Sequence, residues 1–332
     1  MSEPGRGVLE GPVGGAVDTN PATTPAPSPV ATPATTPPAM PAATSAAAGL
    51  ARAKRAGIAG RILLAMRNSP IALIGGIIVV FWIACALFAP WIAPFPPNKM
   101  DPLLIVNPYP SAQHWLGVDN LGRDIWSRLI WGARTVLTVA PIAVLGAASL
   151  GIVLGLLAGY RGGWVDGLIM RIGDTLLAFP RIILYLIIIA RFGASALNII
   201  LVVTITAAPI IARIVRGVTL DVRERDYVAA ARMRGESAFY IMAAEILPSA
   251  RGPLTVDLFL RLGYTTVTIG ALGFLGVGLP PPDPDWGGMV KEAYGMIFVW
   301  PHMTLFPAAA ISSLVIGFNF LATGLQELER DA

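Results

Sequence analysis

Thr135-Val-Leu-Thr-Val-Ala-Pro-Ile-Ala-Val-Leu-Gly-Ala-Ala-Ser-Leu-Gly-Ile-Val-Leu-Gly-Leu-Leu-Ala-Gly-Tyr160 is a run of 26 residues without a charge. A helix rises about 1.5 Å per residue, so about 20 apolar residues cross about 30 Å of bilayer hydrocarbon, and this run is long enough. Working outward, similar blocks lie at Ile71 to Trp91, Leu168 to Ala190, Phe192 to Ala212, Leu254 to Leu279 and Met303 to Leu325. The pattern predicts an all-α membrane protein with about six transmembrane helices. Composition agrees. Of 332 residues 55% are hydrophobic and 13% charged, against about 25% charged in soluble domains, so water is not the solvent for most of the chain.

Charge then orients the spans. Arg52, Lys54, Arg55, Arg61 and Arg67 precede the first span and place the amino terminus in the cytoplasm by the positive-inside rule. Six spans from there put the Arg161 turn, the stretch Arg213 to Gly252 and the carboxyl terminus on the same side. Arg213, Arg216, Arg223, Arg225, Arg232, Arg234 and Arg251 fall on it, while the longer outer segments hold Lys99, Arg123, Arg128, Arg134 and Lys291. The net charge of +4 therefore reflects topology and not a nucleic-acid surface.

The chain divides into a Pro/Ala/Thr-rich tail at 1–50, a basic lead-in at 51–70, a first span at 71–92, an outer segment at 93–134 and a five-helix core at 135–328. The tail has too few large apolar residues to bury a core and is expected to be a disordered cytoplasmic spacer; it lacks the basic start and apolar stretch of a signal peptide. Cys85 is the single cysteine, which excludes an internal disulfide and a cysteine metal site. The two histidines, His114 and His302, are too few for a histidine cluster and read as ordinary loop residues.

The longest polar interruption of the core, 219–248, carries Arg223-Glu-Arg-Asp-Tyr-Val-Ala-Ala-Ala-Arg-Met-Arg-Gly-Glu-Ser-Ala-Phe-Tyr-Ile-Met-Ala-Ala-Glu-Ile-Leu-Pro248. It reads as two short helices broken at Gly235, a residue suited to the left-handed helix end. The stripe Ala229-Ala230-Ala231 lets another backbone approach. The second helix is expected to stop at Leu247-Pro248, since proline cannot continue the ladder. From the residues alone this is an amphipathic hairpin that either lies on the membrane surface or docks into a partner.

Ala230-Ala231, three residues, Gly235, and then Leu247-Pro248 resemble the EAA loop of permease subunits of binding-protein-dependent ABC importers. The pattern departs at Ala229, where the loop's usual glutamate is missing. His114-Trp-Leu-Gly-Val-Asp-Asn-Leu-Gly-Arg-Asp-Ile-Trp-Ser-Arg-Leu-Ile-Trp-Gly-Ala-Arg134, Asp174-Thr-Leu-Leu-Ala-Phe-Pro180 and Gly273-Phe-Leu-Gly-Val-Gly-Leu-Pro-Pro-Pro-Asp-Pro-Asp-Trp-Gly-Gly-Met289 resemble the C-type subunits of dipeptide and oligopeptide permeases. The likeness runs from about Arg67 to Leu328. It implies a bacterial cell-membrane protein forming half of a translocation pore, paired with a second permease, ATP-binding subunits and an extracytoplasmic solute-binding protein. It also implies that the loop, with Arg225, Tyr227, Ala229, Ala230, Ala231, Gly235, Leu247 and Pro248, is a coupling helix seated in a groove of the ATPase. Di- or oligopeptides are the implied cargo, with nickel, opines and haem carried by relatives of the same type.

A P-loop needs Gly-x-x-x-x-Gly-Lys-Ser/Thr, and none of Lys54, Lys99 and Lys291 follows a glycine, so the chain is expected to bind no ATP or other cofactor and to be no enzyme itself. The competing class is a stand-alone proton-coupled secondary transporter, whose candidate acids are Asp174 and Asp257. Asp174 lies three residues after Arg171, a possible partner; Asp257 stands four before Arg261, on one helical face. Asp257, Arg261 and Arg181 are candidates for the translocation path or the permease interface, against the plainer reading that they fasten one helix to the next. The Pro280 to Met289 loop reads either as a contact for an external binding protein or as a rigid cap on the pore. The Gly295 to Trp300 stretch is too short to span and is expected at the membrane interface.

Overall fold

The structure, a computed structural model, describes residues 58–280 and 283–330. The tail at 1–50 and the start of the basic lead-in lie outside them. The described chain is helical: α1 Ile58–Asn68, α2 Pro70–Leu87, α3 Ala89–Ile92, α4 Ile125–Arg161, α5 Gly163–Ala178, α6 Arg181–Phe192, α7 Ala196–Val222, α8 Asp226–Met233, α9 Ala238–Leu275, α10 Trp286–Ala293 and α11 Pro301–Arg330. In hydrocarbon every backbone polar group needs an internal partner, which favours long helices in the apolar blocks. Five of them, α2, α4, α7, α9 and α11, are long and apolar enough to cross a membrane alone, and the bent pair α5–α6 makes a sixth candidate.

Local chemistry sets the ends. Pro70 opens α2 behind a Ser69 cap, and Asp124 starts α4 by accepting the Ser127 N–H at 2.7 Å. Ser195 does the same for α7, accepting the Asn198 N–H at 3.1 Å. α4 begins ten residues before the uncharged run because this cap, and not the change in polarity, nucleates it.

Two expectations fail, both at prolines. The third span is not one helix. Phe179, preceding Pro180, is held extended (φ −81°, ψ 137°), so α5 and α6 meet at 87°. Conversely, Pro248 does not end the second helix of the hairpin. A π-helical stretch, Ile241–Ile246, shifts the bonding register so that Leu247 N–H reaches Met242 O; Pro248 then sits in the first turn of the next α-helical segment, where no N–H is needed. The hairpin's second arm and the fifth span are therefore the single helix α9.

Small residues bring the helices together. Gly151, Gly155 and Gly159 form a stripe on α4, and a methyl added at Gly155 would lie 2.6 Å from Ala212 O on α7. Backbones approach this closely only without side chains between them. α2 and α11 meet the same way, Gly75 lying against Gly317 and Phe320. The larger apolar core surrounds Trp82 and Trp286; a smaller one gathers Leu156, Ile211, Val215, Val228, Ile241 and Ile246.

Two ends result. At the first, Arg61 of α1 pairs with Glu329 of α11, Glu329 touches Gly252 of α9, and Arg223 donates to Gly159 O at the end of α4 (2.9 Å). The hairpin, the Arg161 turn, α1 and the end of α11 are thus together. At the opposite end of the long helices, residues 93–124 and 283–300 fold over the bundle.

Candidate functional site

The hairpin follows directly from its sequence. α8 buries Val228 and Ala231 completely, against the cluster that holds Ile241 and Ile246. The chain reverses at Gly235, whose φ is +78°. Its N–H bonds to Arg232 O at 3.0 Å, and Glu236 N–H reaches back to Ala231 O at 3.2 Å, so the last carbonyls of α8 are satisfied. Ser237 then caps α9 by accepting the Tyr240 N–H at 3.2 Å. A Cβ at Gly235 would meet nothing within 4 Å, so the demand for glycine comes from the backbone angle and not from space.

Of the residues singled out from the sequence, Arg225, Tyr227, Ala229 and Gly235 share the exposed side of this turn, with Ala230 half-buried beside them. Ala231 does not belong to that surface; it points inward, so the alanine stripe is divided between an outer and an inner face. Leu247 and Pro248 lie at the base, half-buried, where Tyr227 Oη meets Ser249 Oγ at 3.4 Å. The outer face also presents Met233 and Phe239, 84% and 78% exposed, which sequence reasoning passed over. Their signal was positional, since both flank the Gly235 turn. Charged groups frame them: Arg225 pairs with Asp221 at 2.7 Å, and Arg234 lies 3.6 Å from Glu245. Arg232 stands over the Tyr160 ring at 5.4 Å, which ties the hairpin to α4.

Within the bundle, Arg261 and Asp257 form a two-point ion pair at 2.5 and 2.9 Å along one face of α9, and Arg261 is buried. The pair is internal to its helix and so does not by itself fasten α9 to a neighbour. Asp174 pairs with Arg213 of α7 and not with Arg171, because α5 turns it toward α7. Asp166 likewise binds Arg216 through both oxygens at 2.5 Å. Arg181 is exposed directly after the α5–α6 bend and has no ion pair among the described residues.

At the opposite end Asp119 is buried with Arg123 and Arg128, and Glu292 of α10 joins them. Asp285 caps α10 through the N–H groups of Gly287 and Gly288, each at 3.2 Å, and burial pushes its carboxyl up to about 6. Trp286, fully buried, donates to Leu129 O at 2.9 Å and packs on Gly132. The Pro280 to Met289 loop therefore leads into a helix seated in the core. The histidines are not ordinary loop residues. His114 Nδ1 lies 2.9 Å from Asp124 and its ring stacks on Phe95, while His302 stands in α11 with Nε2 3.1 Å from Pro108 O. His114 braces the 93–124 segment internally, and His302 pins it to α11. No cluster able to hold a metal occurs among the described residues.

Residues 151–328 match the family described as the binding-protein-dependent transport system inner membrane component. That match spans α7, the hairpin, α9 and α11, more than half of the chain. The chain belongs to this family. Residues 59–110 of the permease also match the N-terminal transmembrane domain of oligopeptide transport permease C. Similar relatives include the glutathione transport system permease protein GsiD of Pectobacterium atrosepticum, 39% identical over 77% of this chain and 85% of that protein. The GsiD proteins of Escherichia coli O6:K15:H31 and of Shigella sonnei are 41% identical over 79% of this chain and 86% of theirs. This permease is therefore a multi-pass inner-membrane component of an ABC importer, and the secondary-transporter reading gives way.

Proposed function

We propose that this permease forms one half of the translocation pore of an ATP-driven importer for di- or oligopeptides and takes its energy from a separate ATPase docked on the α8 hairpin. The observation that carries the coupling role is the hairpin itself: a helical turn held by the left-handed backbone at Gly235, rooted in the bundle through Val228 and Ala231, and presenting Met233 and Phe239 uncovered. Large apolar side chains so exposed on a charged face mark a surface that a partner covers. The missing glutamate at Ala229 removes one polar contact and leaves this apolar one.

The remaining partners are a second permease and an extracytoplasmic solute-binding protein meeting the capped end. Asp257, Arg261 and Arg181 serve the translocation path or the permease interface. The amino and carboxyl termini and the hairpin lie in the cytoplasm, supported by the concentration of arginines at that end. A peptide cargo is supported by the relatives named for glutathione, a peptide, and by the oligopeptide-permease match of the first span.

Gentle affinity purification from the native membrane tests this. Recovery of a second permease and a P-loop ATPase with the wild type, and loss of the ATPase alone with Phe239→Ser, is the expected result. A chain that purifies and transports alone overturns the proposal.

A further inference from the structure

We propose that the groove between α1, α2, α4, α9 and α11 is a binding site for one phospholipid of the leaflet at the capped end, with its phosphate on Arg134 and one acyl chain along α2. The groove encloses about 610 Å³. Its walls are apolar, with Val80, Ile83 and Leu87 of α2 exposed along it, Leu137 of α4 opposite and Phe259 of α9 at its floor. Along α2 it runs from Gly76 to Leu87, a length of about 16 Å at the helical rise, close to the roughly 15 Å that half a bilayer's hydrocarbon measures. One acyl chain therefore fits along its α2 wall.

The polar groups of the groove are confined to one place. Arg134 and Thr138 stand one turn apart on α4, at the end of the groove that Leu87 closes. Arg134 is the residue immediately before the uncharged run Thr135 to Tyr160, so its guanidinium is at headgroup depth when that run spans the hydrocarbon. It is exposed and has no ion-pair partner among the described residues; the Trp131 ring, 5.6 Å away, holds it in place. A cation without a counter-charge, above an apolar wall as long as one leaflet's hydrocarbon, matches a phosphodiester above its acyl chain. The inference depends only on the chain spanning a membrane and is independent of the coupling role.

The test uses the intact importer purified in detergent and titrated with phosphatidylglycerol under native mass spectrometry. Wild type is expected to retain one lipid in addition to those shared with the variants. Arg134→Gln should weaken that retention about fivefold, the worth of one basic residue at a lipid surface, with Arg134→Lys largely restoring it. Val80→Trp, at an exposed wall, should remove it by filling the slot. Benzoylphenylalanine placed at Val80 in membranes should capture a phospholipid on irradiation. Equal lipid retention in wild type, Arg134→Gln and Val80→Trp overturns the proposal, as does capture of a second permease chain at that position.

Discussion

The two ends of this permease use the same kinds of ion pair for opposite purposes. At the capped end Asp119, Arg123 and Arg128 are each less than a tenth exposed, and they lock 93–124 onto α10. At the hairpin end Arg225 and Asp221 are 56% and 68% exposed and restrain little. Charges removed from water cost several kcal/mol when a partner is lost, whereas exposed pairs contribute about 0–1 kcal/mol. One end is closed by buried ion pairs, and the other keeps exposed pairs that, under the coupling role proposed above, leave it adaptable to a partner. Four measurements break or sharpen that contrast.

The largest effect is expected for Asp119→Ala, which strands Arg123 and Arg128 in the lid. Loss of roughly 3–5 kcal/mol should appear in thermal unfolding of the detergent-purified protein, with hydrogen exchange rising first at 93–124. A variant as stable as wild type would mean the lid is held by Trp286 and its apolar contacts alone.

The second effect is on pH. The carboxyl of Asp285 is raised from 3.8 to about 6 by burial, so between those values the folded lid keeps a proton that the unfolded chain releases. The contribution of Asp285 is therefore fully present below about pH 4 and is lost as pH rises through 6, about 2–3 kcal/mol. Asp285→Asn keeps an acceptor for the helix cap without the charge and should flatten this slope in unfolding curves between pH 4 and 7. An unchanged slope would mean that Asp285 does not set the dependence.

At the hairpin, Gly235→Val forces a β-branched residue to φ +78° and should cost about 1–2 kcal/mol. Its readout is uptake and ATPase retention, both reduced while all spans remain inserted. Normal uptake would count against the coupling role. The smallest effect belongs to Asp221→Ala, expected below about 1 kcal/mol because the pair is exposed, and a melting temperature within error of wild type would fit. A loss near that of Asp119→Ala would remove the contrast altogether.

The hairpin was largely legible in the sequence, because its signals are local: Gly235 for the reversal, the charged opening, the alanines. Which alanine faced inward was not. That depends on how α8 is rotated against Ile241 and Ile246, residues of the next element. The lid was hardly legible. Asp119, Arg123, Arg128 and Glu292 are up to 173 residues apart in the chain, and of their charges the sequence reading weighed only Arg123 and Arg128, as bases of an outer segment. Trp286 lay within a loop read only as a contact or a cap, and nothing near it in sequence announced Gly132 and Leu129 O as its seat.

The prolines show the same division. That Pro180 and Pro248 lack an N–H for the helical ladder was determined by covalent chemistry, as was the number and length of the apolar blocks, since bilayer thickness acts on each block separately. Whether a proline bends a span by 87° or passes through a π-helical register shift was decided only by tertiary structure. So were the glycine-lined contact of α4 with α7, the pairing of Asp174 with Arg213 and the slot beneath Arg134. Each is a relation between surfaces that exist only once the helices are packed, and packing is set by shape across the whole bundle, not by any stretch of the chain alone.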